Sequence, residues 1–241
     1  MSDETHCLLG VPRFGGVLVV SDHASNHVPA DIDLGIAPEL LGQHMAYDIG
    51  VAEVGALLAA RAGFAAFQCA FSRLVLDVNR DEHAASLIPL ASDGHVIPGN
   101  TLDAAGHAAR IGRFYHPYHA ALARVLDDRP PALILSIHSF TPRLASDPGG
   151  ARPWHAGVLY NADDRGARLA LPLLEAEGLC VGDQQPYSGR QLNYTMNRHA
   201  EAEGRPYLGV EIRQDEIDTA QGQAIWAERL FRVANAVALT L

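Results

Sequence analysis

Cysteine is scarce in this chain, with three among 241 residues. Cys7, Cys69 and Cys180 are too few for a disulfide framework, and no pair has metal-ligand spacing. No cluster of Lys and Arg supplies the basic footprint that nucleic acid needs, and the net charge is −10. No apolar run reaches the roughly 20 residues that span a bilayer. The start, Met1-Ser2-Asp3-Glu4-Thr5, is acidic and lacks the basic and apolar regions of an export signal. A Gly-rich phosphate loop and a G-x-S-x-G nucleophile elbow are also missing. These absences set the expectation of a reduced, cytoplasmic, soluble protein with neither nucleic acid nor membrane as partner. A small anionic ligand would have to be held by local arginines, since the overall field repels it.

What is present points to a folded α/β chain. An apolar fraction of 48% is ample for a core, and no repeat or linker divides residues 1–241, so one domain is expected. Short apolar runs at 17–20, 65–70, 74–78, 132–137, 157–160 and 207–212 read as strands. Helical periodicity covers 38–62, closed by Gly63, then 102–127 with a kink at Pro117, 163–177, 191–203 and 217–241. Trp226, Leu230 and Val233 would share one face of the last helix. Alternating strands and helices predict an α/β fold with three layers, α/β/α, around a mixed, mostly parallel sheet. The runs 65–70 and 74–78 lie so close that they are expected to pair antiparallel. The irregular stretches 81–100 and 143–153 read as site loops.

Two strands end in histidine. The run 17–20 leads into Ser21-Asp22-His23, and 132–137 ends at His138. Ligands of open α/β sheets bind just beyond the carboxyl ends of strands. One such histidine is more often a loop hydrogen-bond partner. Two of them shift the balance towards a metal, and 12 histidines in the chain agree mildly with that. For a third ligand Asn26, Asp48 and Asp22, which adjoins His23, are at hand, and Asp48 is preferred over Asn26, because a carboxylate brings charge to a divalent cation. Asp48 could instead be exposed, or paired with His44 one turn earlier. Glu211 shares a side of its strand with Arg213, and serves either as a proton carrier or as that arginine's ion-pair partner. Asn79 and Arg80 suit a carboxylate clamp, although Asp77, Asp81 and Glu82 offer Arg80 local salt bridges. His116 and His119 are a weak metal pair. Asn193, Tyr194, Asn197, Arg198 and His199 read best as a solvated helix face.

Five segments in order resemble the N-formylglutamate amidohydrolase family. They are Ser-Asp-His-Ala-Ser-Asn-His-Val-Pro at 21–29, Tyr-Asp-Ile-Gly at 47–50, and Ser-Arg-Leu-Val-Leu-Asp-Val-Asn-Arg at 72–80. Ser-Ile-His-Ser-Phe-Thr-Pro at 136–142 and Val-Glu-Ile-Arg-Gln-Asp at 210–215 complete the set. The resemblance spans about residues 15 to 230. That family is distantly similar to zinc carboxypeptidases and aspartoacylase, with their His-x-x-Glu pair, Asn-Arg pair, later His and late Glu. His23 with Asn26, Asn79 with Arg80, His138 and Glu211 match these in turn.

The resemblance implies a carboxypeptidase-like fold and zinc, or another divalent metal, on His23 and His138. Asp48 or Asn26 would be the third ligand, since Asn26 stands where a carboxylate is expected. It implies Glu211 as proton carrier, and Asn79 and Arg80, helped by Arg73 or Arg213, on the substrate's carboxylates. The implied reaction takes N-formyl-L-glutamate to formate and L-glutamate, a step of histidine degradation. A homo-oligomer is compatible with the sequence. One rival is a hydrolase of another N-acyl amino acid or small peptide. The other is a non-catalytic module that binds an acidic metabolite through Arg80 and Arg213.

Overall fold

The structure, a computed structural model, describes residues 4–144, 150 and 152–241. The chain runs β1 (His6–Gly10), β2 (Val17–Ser21), α1 (Val51–Ala59), β3 (Phe64–Cys69), a small hairpin of β4 (Ala91–Ser92) and β5 (His95–Val96), then α2 (Ala104–Arg110) and α3 (His116–Asp128). It continues with β6 (Leu133–Phe140), β7 (Ala156–Leu159), α4 (Arg165–Ala176), β8 (Val181–Asp183), α5 (Tyr194–His199), β9 (Tyr207–Arg213) and α6 (Ala220–Thr240). Seven strands form one sheet in the order β1-β3-β2-β6-β9-β7-β8. β3, β2, β6 and β9 are parallel, so their carboxyl ends share one edge. β1 runs against β3 and β7 against β9, which makes the sheet mixed.

The side-chain period of two sorts β3 onto two helical layers. The Phe64 ring lies 5.2 Å from Phe231 of α6, and Gln68 donates to the Ala52 carbonyl of α1. Phe67, on the opposite face, meets Tyr118 of α3 at 5.3 Å. The expected three layers are therefore present. All of β2 is buried, as expected of a strand covered on both faces. Trp226, Leu230 and Val233 form the buried stripe of α6, each contributing about 1.5–3 kcal/mol through burial.

Several sequence expectations need correction. The run 74–78 is not a strand, and β3 pairs instead with β1, which the sequence reading missed. The run is apolar because it is a buried loop whose carbonyls are satisfied by side chains. Leu74 accepts from Asn100, Val75 from Arg110 and Val78 from His119. β1 escaped notice because it is a half-exposed edge strand with no clean alternation. β8 is only three residues long.

The helix expected over 38–62 is a short 3-10 turn, Pro38–Gly42, followed by turns and then α1. Gly63 is not its cap; it has φ +84 and leads into β3, where its carbonyl accepts from Val17. The segment expected over 102–127 is α2 and α3 joined through Ile111–Tyr115, where the His116 N–H reaches back five residues to the Ile111 carbonyl. Pro117 follows this wide turn rather than breaking the helix. The segment 191–203 shortens to α5 and a 3-10 turn, Glu201–Glu203. β6 runs three residues past its expected end, so His138 lies within the strand, level with Glu211 of β9. The loop 81–100 contains the small hairpin, and 145–149 and 151 of the second loop lie outside the described residues.

Gly50 fixes how the chain enters α1, two residues after Asp48. It has φ +82, and a Cβ there would meet the Ile217 carbonyl oxygen at 2.2 Å. Left-handed backbone in a residue with a side chain costs about 1–3 kcal/mol, before any clash. Gly50→Ala should therefore lower the urea midpoint by at least that equivalent; an unchanged midpoint would contradict this account.

Candidate functional site

The parallel strands deliver polar residues to their common edge. β2 ends at Ser21 and passes directly to Asp22 and His23, while His138 and Glu211 sit side by side on β6 and β9. Asp48 is brought in by its backbone N–H, which donates to the His23 carbonyl at 2.9 Å. One ligand atom from each of His23, Asp48 and His138 lies within 4.8 Å of the others, and all three residues are buried. This group could hold a metal ion.

Each histidine is backed by a second carboxylate. His23 Nε2 lies 2.7 Å from Asp77 Oδ1, while its Nδ1 is 3.4 Å from Asp48 Oδ2. His138 Nδ1 lies 2.9 Å from the same Asp48 oxygen, and its Nε2 is 3.6 Å from Asp22 Oδ2. Both Nδ1 atoms thus converge on Asp48, and the opposite nitrogens face Asp77 and Asp22. This is how metal-binding imidazoles are commonly oriented.

The donor set fits a divalent cation. His23 Nδ1 is buried and makes no hydrogen bond, although it points at the cluster. Tetrahedral bonds of about 2.1 Å place donor atoms about 3.4 Å apart, close to the separations at Asp48. Two imidazoles and one carboxylate form a common catalytic zinc set that leaves a position open.

The electrostatics of the cluster favour positive charge beside Asp48. Burial opposes ionisation of Asp48, but His23 and the hydrogen bond from His138 outweigh it and lower its pKa. Burial likewise works against charge on His138, yet Asp22 and Asp48 hold its pKa well above the usual histidine value.

Glu211 stands apart from this network. No donor bonds its carboxylate among the described residues, and burial raises its pKa to about 6. Arg213, expected as either its partner or a substrate ligand, is turned elsewhere. It pairs with Asp215 and Glu216 and donates to the Pro153 and Trp154 carbonyls. The expected Glu211–Arg213 ion pair is therefore not formed.

A cavity of about 160 Å³ opens on the cluster. His23, Asp48, His138, Glu211, Arg73, Asn79 and Arg80 all line it. Arg73 is held by Asp77 at 2.7 Å and Asp48 at 3.4 Å, so its charge is already matched. Arg80 keeps a looser contact with Asp77, at 3.5 Å. Asn26 is not part of the site; it is exposed and donates to the Leu41 carbonyl. The His44–Asp48 pair is not formed either, since His44 faces Asp93 at 3.1 Å. The sequence offers Asp77 no site role and Asp22 only a place beside His23 as a possible third ligand, because nothing local reveals a carboxylate behind a histidine 54 or 116 residues away. Tyr187 and Leu192 of the cavity wall carry no signal in the sequence, and Thr141 stands out only as part of the segment 136–142. His116 is exposed and pairs with Glu82, while His119 is buried, so they form no joint site. The helix face at Asn193 to His199 is largely turned inward, with Asn193 and His199 buried.

Comparison with known proteins places this architecture. The family model described as N-formylglutamate amidohydrolase matches residues 15–217. A gene product of Agrobacterium tumefaciens is 30% identical, with a TM-score of 0.92, over 99% of this chain and 96% of that one. An N-formylglutamate amidohydrolase from Ralstonia eutropha JMP134 is 20% identical, with a TM-score of 0.77, over 98% and 97% of the two chains, and shows the shared fold. A metallo-carboxypeptidase from Pseudomonas aeruginosa, 15% identical with a TM-score of 0.37 over 98% of this chain and 59% of that one, is too remote to support an argument. No curated protein matches. The chain belongs to the N-formylglutamate amidohydrolase family.

Removing a carboxylate behind a metal-binding histidine typically weakens metal binding about 10–100-fold. If His23 holds a divalent cation, Asp77→Asn should weaken binding of zinc by that factor in equilibrium dialysis, with the fold retained by circular dichroism. Wild-type affinity in this variant would argue against His23 as a ligand.

Proposed function

We propose that this member of the N-formylglutamate amidohydrolase family hydrolyses the amide bond of a small N-acyl acidic amino acid. N-formyl-L-glutamate, giving formate and L-glutamate, is the first choice. The observation that carries this reading is one cavity bordered by His23, Asp48 and His138, by the unpaired Glu211, and by the Asn79-Arg80 pair. We assign His23, Asp48 and His138 to a divalent cation, zinc being the best match to two imidazoles and a carboxylate. When bound, that cation would polarise the acyl carbonyl and acidify water beside it.

The remaining work falls to side chains. Glu211, with a pKa raised to about 6 by burial, is suited to accept a proton near neutral pH and to return it. It takes the proton from the attacking water and delivers it to the amine nitrogen as the C–N bond breaks. Arg80 and the Asn79 amide hold a substrate carboxylate, which offsets the repulsion of an acidic protein. Arg73 orders Asp48 and Asp77 rather than the substrate. No helix among the described residues is long and apolar enough to cross a membrane.

Glu211→Gln separates catalysis from mere binding. Loss of the proton carrier should reduce kcat about 10²–10⁴-fold, while substrate still binds by calorimetry. Undiminished hydrolysis would remove Glu211 from the mechanism. Binding without turnover in the wild type, even with zinc added, would favour the binding module. A chelator should abolish hydrolysis, and stoichiometric zinc should restore it. Full activity in protein shown to be metal-free by elemental analysis would sink the cation assignment.

A further inference from the structure

His119 on α3 and the inward face of α5 have no part in the reaction described above, yet they are buried and closely linked. His119 Nε2 lies 3.1 Å from the Val78 carbonyl. A carbonyl only accepts, so Nε2 carries the proton. The Nδ1 of a neutral His119 is then bare, and it accepts from His199 Nε2 at 2.9 Å. The two rings stack 5.1 Å apart at 19°. Burial keeps both rings neutral, with pKa values pushed down to about 3 for His119 and about 4 for His199. One proton per ring is what this directed chain requires.

The next two residues are held in the same way. The Thr195 N–H donates to Asn79 Oδ1 at 3.0 Å. That bond fixes which way the amide faces and leaves both N–H groups of Nδ2 free of protein acceptors among the described residues. The Tyr115 hydroxyl donates to the Arg80 carbonyl at 3.2 Å, and its ring packs edge-on against His119 at 4.4 Å. Residues 78, 79 and 80 are thus each held from behind, by groups on or beside α3 and α5.

We infer that His119 and His199, with Tyr115 and Thr195, are positioning residues that aim the Asn79 amide and the Arg80 guanidinium at a substrate carboxylate. The inference rests on the Asn79-Arg80 clamp proposed above. An irregular loop has no ladder to set its backbone, so side chains must do so. Displacements of about 1 Å in such a clamp weaken its grip severely. A core-packing role alone would lower stability without preference for any substrate group.

The test compares N-formyl-L-glutamate with its two mono-carboxamides, each lacking one carboxylate. Arg80→Ala identifies which carboxylate the clamp holds. Tyr115→Phe removes one hydroxyl and keeps the packing; His119→Ala removes the chain of bonds; His119→Gln keeps a donor and an acceptor. Tyr115→Phe and His119→Ala should each raise KM about 10-fold for substrates carrying the clamped carboxylate, with kcat within about 3-fold. The carboxamide lacking it should show no such rise, and His119→Gln should recover most of the loss. An unchanged KM, or an equal rise with all three substrates, overturns the positioning role. If Arg80→Ala leaves every KM unchanged, the clamp itself falls. If Arg80→Ala is selective and Tyr115→Phe is not, only the positioning inference falls. Tyr115→Phe keeps the test decisive should His119→Ala fail to fold.

Discussion

Three aspartates buried at one edge of a sheet have to be matched by positive charge. Asp22, Asp48 and Asp77 each lose their hydration on folding, and each is nevertheless held ionised by close partners. His138 and His23 serve Asp22, and both also serve Asp48; Arg73, His23 and Arg80 serve Asp77. These partners come from β6, from the end of β2 and from the buried loop after β3. Only a sheet whose parallel strands end together brings such distant segments to one point. The rest of the site follows from this demand. Both imidazoles are oriented by the acids behind them, and the shared Asp48 oxygen marks where a cation's charge would be most strongly stabilised.

Recognition and chemistry are divided between two kinds of backbone. The groups proposed to hold a metal and carry a proton stand on or beside strands, where ladder hydrogen bonds fix direction. The clamp stands on an irregular loop, fixed instead by Asn100, Arg110, His119 and Thr195. Every one of those fixing groups comes from a later part of the chain. The segment 78–80 therefore depends on α3 and α5 for part of its hydrogen bonding.

This division also explains what could be read from sequence. His23 and His138 follow short buried runs and Glu211 lies near the end of another, and the composition of such runs identifies strands whose ends locate a site. Asp48 was preferred over Asn26 on charge alone, and Asp48 is the residue found beside the two histidines. The run 74–78 misled because burial, not strand pairing, selects its apolar residues. A buried loop and a buried strand look alike until the loop's hydrogen-bond partners are known, and those lie 26 to 41 residues away. Asp77 likewise stands out in the sequence only as a neighbour of Arg80, because its bond to His23 spans 54 residues. Arg213 misled in the opposite sense. The period of two placed it on the side of Glu211, but two acids and two carbonyls beside it claim its guanidinium.

The wide turn between α2 and α3 acts on the helix as a phase shift. Its hydrogen bond from His116 to Ile111 encloses one residue more than an ordinary turn. Since each residue advances an α-helix by about 100°, everything that follows is rotated by that angle. Tyr118 and His119 owe their inward direction to this rotation, the first to reach Asp22 and the second to reach Val78. A chain shorter by one residue here would keep its helix and its composition. It would nevertheless present the wrong face to the sheet, separating both contacts from the strand edge in a single step.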